Sequence, residues 1–182
     1  MKKHLLALLL IAAGLAGTAQ TQPMKFMGVN LNCTMTTFMS KMKGKGFTQD
    51  PNSHDNVIYM KGVFAGERVR IEVHNAPKTK LISSVLVRFN HSTSYSYDIL
   101  KKKLQVKYGT DFTEVKNLKE EDIFVKYTTN YTIWNVNKDT VTGNSNQIVL
   151  SQCSYRSTSP LVISYIDFRN SRQDMEEIDS DF

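Results

Sequence analysis

The chain has 182 residues, 41% hydrophobic and 22% charged, with a formal charge of +6 at neutral pH. That length can bury the core of one domain or of two small fused ones. The cationic excess is too mild for a nucleic-acid binder, which concentrates charge on one face, so no nucleic-acid partner is implied.

Residues 1–19 read as an export signal: Lys2-Lys3, an apolar run from Leu5 to Ala16, then the small-residue end Gly17-Thr18-Ala19. The run is shorter than the roughly 20 residues of a membrane span, and no later segment is long and apolar enough either. The expected product is periplasmic or secreted after cleavage, with no integral membrane segment. Losing Lys2 and Lys3 lowers its positive charge and leaves a weak preference for anionic partners. Residues 20–24 form a polar leader, 25–170 a single domain, and 171–182 an acidic tail.

Lys25 to Val29 is a short extended segment. Asn32 or Thr34 can cap a helix whose apolar residues Met35, Phe38, Met39 and Met42 share a face. Lys41, Lys43 and Lys45 crowd its end, and Gly44 or Gly46 stops it. Val57 to Phe64 is a strand, joined through Ala65-Gly66-Glu67 to a second in which Val69, Ile71 and Val73 alternate with Arg68, Arg70, Glu72 and His74. Asn75-Ala76-Pro77-Lys78 turns the chain into a third strand carrying Val85, Val87 and Phe89.

A second helix starts near Ser94 or Ser96, with Asp98 in its first turn, Tyr97, Leu100, Leu104 and Tyr108 on one stripe, and Gly109 as its stop. Strands are expected at Ile123–Tyr127, Tyr131–Val136, Ile148–Cys153 and Leu161–Phe168, with a polar hairpin loop from Asn137 to Asn146. Read coarsely, helix then three strands occurs twice, in halves 25–91 and 92–170, which suggests either an internal duplication or a coincidence of small building blocks. The expected fold class is α+β: an antiparallel sheet of about seven strands with two helices packed on one face.

Phe26-Met27-Gly28-Val29, Leu31 with Thr34, Lys45-Gly46-Phe47, Gly62-Val63-Phe64-Ala65-Gly66, Lys107-Tyr108-Gly109 and Tyr165-Ile166-Asp167 resemble a family of small exported α+β proteins of unknown function from Gram-negative gut anaerobes. That family usually opens Gly-Ile-Pro-Leu-Asp-Gly-Thr; here Asn30 replaces the proline and Cys33 the second glycine. The repeated helix-plus-sheet order is also similar to the modules of beta-lactamase inhibitor proteins and of small outer-membrane assembly lipoproteins. The resemblance implies export and this fold, and assigns no catalytic residue.

Chemistry-bearing motifs are sparse. His54-Asp55 sits in a polar turn, His74 on the water-facing side of its strand and His91 before serines; none has metal-ligand spacing. Gly44-Lys45-Gly46 ends a helix, so its backbone donors point the wrong way for phosphate. No metal and no cofactor are implied. Cys33 and Cys153 either bridge, closing nearly the whole domain, or serve as small buried thiols. Lys41, Lys43 and Lys45 with Lys101, Lys102 and Lys103 form a candidate anion-binding patch if the helices lie side by side. Tyr131, Trp134, Tyr155 and Tyr165 supply aromatic surface or core. These features favour a non-enzymatic envelope domain that binds a protein or glycan. The alternatives are an envelope hydrolase using Cys33 or a histidine, and an outer-membrane assembly subunit.

Overall fold

The computed structural model of the protein describes residues 23–54, 56–90, 95–122, 125–137, 145–154 and 160–175. The expected signal peptide, Asp55, His91 and Tyr155 lie outside them.

Two tiny strands, β1 (Lys25–Phe26) and β2 (Val29–Asn30), make a hairpin that leads into α1 (Met35–Lys43). Of the two expected caps Thr34 is used: its hydroxyl accepts the Thr37 N–H at 3.4 Å, leaving Met35, Phe38 and Met42 buried on one side of the helix. β3 (Thr48–Gln49), β4 (Val57–Phe64), β5 (Glu67–Asn75) and β6 (Ile82–Phe89) follow as a meander. The β4–β5 turn is Ala65-Gly66 with φ of 53° and 87°, and two positive values in a two-residue loop match the twist of the flanking strands.

Ser96 caps α2 (Tyr97–Tyr108), accepting the Ile99 N–H, and Gly109 closes it with a bond to the Gln105 carbonyl. A second meander comes next: β7 (Thr113–Asp122), β8 (Val125–Val136), β9 (Asn146–Ser154) and β10 (Leu161–Ile166). All pairings are antiparallel, and the large sheet has eight strands in the order β3-β4-β5-β6-β10-β9-β8-β7. Each of the first two helices therefore precedes a four-strand meander, and the meanders meet at their last strands.

Three expectations need correction. Among the described residues the large sheet has eight strands, not about seven: the sequence pattern signals neither β3 (Thr48–Gln49), which is only two residues long, nor β7 (Thr113–Asp122), which carries only Val115 and Leu118 as apolar residues and is held by its ladder to β8. Of the two strands expected at 123–127 and 131–136, residues 125–127 and 131–136 belong to the single strand β8, and 123–124 lie outside the described residues. A third helix, α3 (Phe168–Met175), occupies the end of the last expected strand and the start of the expected acidic tail. Asp167 starts it, its carboxylate accepting the Asn170 N–H at 3.2 Å, and burial raises the pKa of that carboxyl.

One continuous core lies between the sheet and helices α1 and α2. Val69, Ile71 and Val73 of β5 continue across Val85, Val87 and Phe89 of β6, Ile163 and Tyr165 of β10, Ile148 and Leu150 of β9 and Trp134 of β8. Phe26 joins the layers, 5.1 Å edge-on to Tyr165 and 6.4 Å from Phe38 between ring centroids. α2 contacts the same face: its Tyr97 hydroxyl meets Thr132 at 2.6 Å. α3 closes one end of the sheet through Asn170, whose amide donates to the Ile82 carbonyl at 2.8 Å and the Leu31 carbonyl at 3.5 Å.

Both sheet edges are blunted. The outer rim of β4 is occupied by β3 and the following loop, where the Asp50 N–H donates to Tyr59 and His54 bridges Val57. On β7, a register shift between Val115 and Leu118 breaks the ladder, and Asn117 turns to φ 54° to donate to the Asn130 side chain.

Candidate functional site

The face of the sheet opposite α1 and α2 carries no described helix, and its side chains fall into level rows set by the strand register. One row runs Tyr59, Glu72, Leu86, Ser164, Val149, Ile133 across β4, β5, β6, β10, β9 and β8. The next runs Lys61, Arg70, Arg88, Val162, Ser151, Tyr131, ending at Val115 on β7. Most of these side chains are half-buried by their neighbours, while Val115 and Leu118 at the β7 edge are 37% and 40% exposed. The face thus divides into a cationic corner on β4–β6 and an aliphatic field on β10–β8.

The corner concentrates like charge. Lys61 stands directly opposite Arg70, and Arg70 directly opposite Arg88, with Arg68 two residues along the same strand. Cross-strand like charges cost up to about 1 kcal/mol each, so something must neutralise them. Lys61 is paired with the buried Asp50 at 2.9 Å. Glu72 takes Arg88 at 3.0 Å and the His74 imidazole at 2.8 Å; burial raises its pKa, but these partners bring the net value below the ordinary carboxylate range. Arg68 and Arg70 make no ion pair with the described residues. The Arg70 guanidinium lies 4.1 Å above the Tyr59 ring, and its Nε is buried without an acceptor. Lys61, Val63, Arg68, Arg70 and Asn90 border a surface cavity of about 420 Å³ here.

The residues singled out from the sequence are dispersed. Lys41, Lys43 and Lys45 are exposed on and just after α1, which packs on β2 and β3, whereas Lys101, Lys102 and Lys103 belong to α2 over β8 and β9. The helices hold opposite halves of the sheet, so the structure does not merge the two lysine clusters. Lys101 is committed to Glu114 at 2.6 Å and lies over the Phe112 ring, and Lys103 lies over Tyr95.

Cys33 and Cys153 are free thiols. The Cys33 carbonyl accepts the Ile82 N–H at the start of β6, level with the Gln147 end of β9, and Cys153 lies six residues further along β9. That offset is about 20 Å at strand rise, well past the roughly 7 Å limit between bridged α-carbons. Cys33 donates its S–H to the Asn30 carbonyl at 3.0 Å, and burial raises its pKa, the reverse of what a nucleophilic thiolate needs. His74 is occupied by Glu72, and His54 is exposed in the β4 edge turn.

Trp134 and Tyr165 are core residues, whereas Tyr131 lies on the open face. A larger cavity of about 650 Å³ opens between the β1–β2 hairpin and the end of α2, lined by Met24, Met27, Lys107 and Tyr108, without a paired acid and base. Among the described residues, no three His, Cys, Asp or Glu side chains are grouped to hold a metal, and no helix is long and apolar enough to cross a membrane. No family model, curated protein or solved structure matches the chain.

Proposed function

We propose that this protein is an exported, non-enzymatic interaction domain of the cell envelope whose open sheet face docks a partner protein. The observation that carries the reading is the make-up of that face. An aliphatic field of Leu86, Val162, Val149 and Ile133 is flanked by Tyr59, Tyr131, Arg70 and Arg88. Apolar centres rimmed by Tyr and Arg are what protein interfaces enrich, whereas sugars dock against flat exposed aromatic rings, of which this field has few. The Lys2-Lys3 and Leu5 to Ala16 segment supports export.

A photo-cross-linking residue placed at Val149 tests the proposal in cells that make the full chain, with Lys102 on the helix side as the comparison site. The expected result is a discrete protein adduct from Val149 and none from Lys102. No adduct from Val149, equal adducts from both sites, or an adduct that disappears on deglycosylation overturns it.

A further inference from the structure

We infer that the cavity beside Arg68 and Arg70 receives carboxylates from an acidic peptide segment of the docked partner. The inference deepens the protein-docking reading and rests on it. Its starting point is the positive charge left over once the internal pairs are made: Asp50 pairs with Lys61 and shares its field with Arg70 without touching it, Glu72 takes Arg88 and His74, and the Arg68 and Arg70 guanidinium groups are left without an ion-pair contact among the described residues, at one rim of the cavity. The strand register forces this crowding, since Arg70 stands between Lys61 and Arg88 on adjacent strands. A ligand anion relieves the repulsion that the fold imposes.

The corner is also prearranged. The Tyr59 ring, 4.1 Å from the Arg70 Cζ, and the burial of the Nε hold this guanidinium against the sheet before any ligand arrives. A guanidinium fork matches the two oxygens of a carboxylate, and the Asn90 side chain at the end of β6 adds further polar capacity. Peptide is favoured over a sugar acid or a free anion because the cavity wall includes Val63, which is 54% exposed, and the cationic row runs directly into Val162. A segment alternating acidic and aliphatic side chains satisfies both surfaces; a uronate or a phosphate satisfies only one.

The test is a fluorescence-anisotropy titration of the full chain with a labelled peptide of alternating Glu and Leu, and with its Gln-for-Glu counterpart. The acidic peptide is expected to bind about ten-fold more tightly than the neutral one, with affinity falling as salt rises. Arg68→Gln should weaken it about three-fold and Arg68→Gln with Arg70→Gln about ten-fold or more, while Lys102→Gln with Lys103→Gln leaves it unchanged. The exposed Arg68 variant keeps the test usable if the Arg70 change disturbs folding. Equal affinity for the two peptides, no saturable binding, or no effect of Arg68→Gln overturns the inference. So does tighter binding of a galacturonate trimer or inorganic phosphate than of the peptide. The two readings fail separately: a Val149 adduct that persists undiminished in the double arginine variant keeps protein docking and removes the acidic corner.

Discussion

The ring of Phe47 occupies the space that a side chain at Gly62 would need: a Cβ there would stand 2.5 Å from the Phe47 Cδ1 and Cγ atoms. Gly62 is thus the point where β4 lets Phe47, four residues past the end of α1, lie against the sheet, and it fixes how the first helix sits. Gly62→Ala overpacks this contact and is expected to destabilise the protein by about 1–3 kcal/mol. Chemical denaturation checks it, and Gly62→Ala combined with Phe47→Leu should cost less than the sum of the single changes. Strict additivity would show that the close approach is not the cause.

Tyr97 and Thr132 tie the second helix to the sheet by a buried hydroxyl pair at 2.6 Å. Tyr97→Phe leaves the Thr132 hydroxyl, which is fully buried, without this partner. The expected loss is about 1–2 kcal/mol, more than a solvent-exposed hydrogen bond would give. In a double-mutant cycle with Thr132→Val the double variant should cost less than the sum of the two single changes, because removing both polar groups leaves nothing unsatisfied.

Helices α1 and α2 were legible in the sequence because their signals are local, whereas α3, short and almost without an apolar face, was not. Thr34 and Ser96 provide the caps, Met35, Phe38 and Met42 or Leu100 and Leu104 the buried faces, and a glycine lies at each end. The strand β5 was equally plain, since Val69, Ile71 and Val73 alternate with charge on a half-buried sheet. β7 was not, because an edge strand is held by main-chain bonds to one neighbour and needs few apolar side chains. The same limit applies to the site. Arg68 and Arg70 were visible as the water-facing side of a strand, but their approach to Lys61 and Arg88 depends on which residues stand opposite one another, and no local pattern states that. The lysine clusters were conspicuous only because they are contiguous, and α1 and α2 carry them to different halves of the sheet.

The Asp50–Lys61 pair gives the corner a pH dependence of defined sign. The Asn52 N–H at 3.1 Å and the Lys61 ammonium at 2.9 Å hold the Asp50 carboxyl below its ordinary pKa. A depressed acid contributes stability that is fully present above its unfolded pKa of about 3.9 and is lost as pH falls through the lower folded value. Asp50→Asn should therefore lower Tm at neutral pH, and the gap from the wild type should close as pH drops below about 4. Differential scanning calorimetry across that range checks it; a gap that stays constant with pH would mean that packing, not charge, is responsible. Because Asp50 also neutralises Lys61, the same substitution frees a third cation at the corner and should tighten binding of the Glu-Leu peptide at neutral pH.

The separation of Cys33 from Cys153 predicts the thiol chemistry even in an oxidising compartment. Both residues are partly accessible, so alkylation of the purified protein under denaturing, non-reducing conditions should add two labels per chain, and the intact mass should show no loss of two hydrogens. In the native state Cys33 should react slowly with a thiolate-selective reagent, because burial raises its pKa and its S–H is engaged by the Asn30 carbonyl. Cys33→Ser keeps a donor for that carbonyl and should change stability little, whereas loss of a bridge closing so long a loop would cost about 4–5 kcal/mol. A large loss in Cys153→Ser that disappears under reductant would instead require the two ends of the β6–β10–β9 register to meet, and would overturn the strand pairing described above.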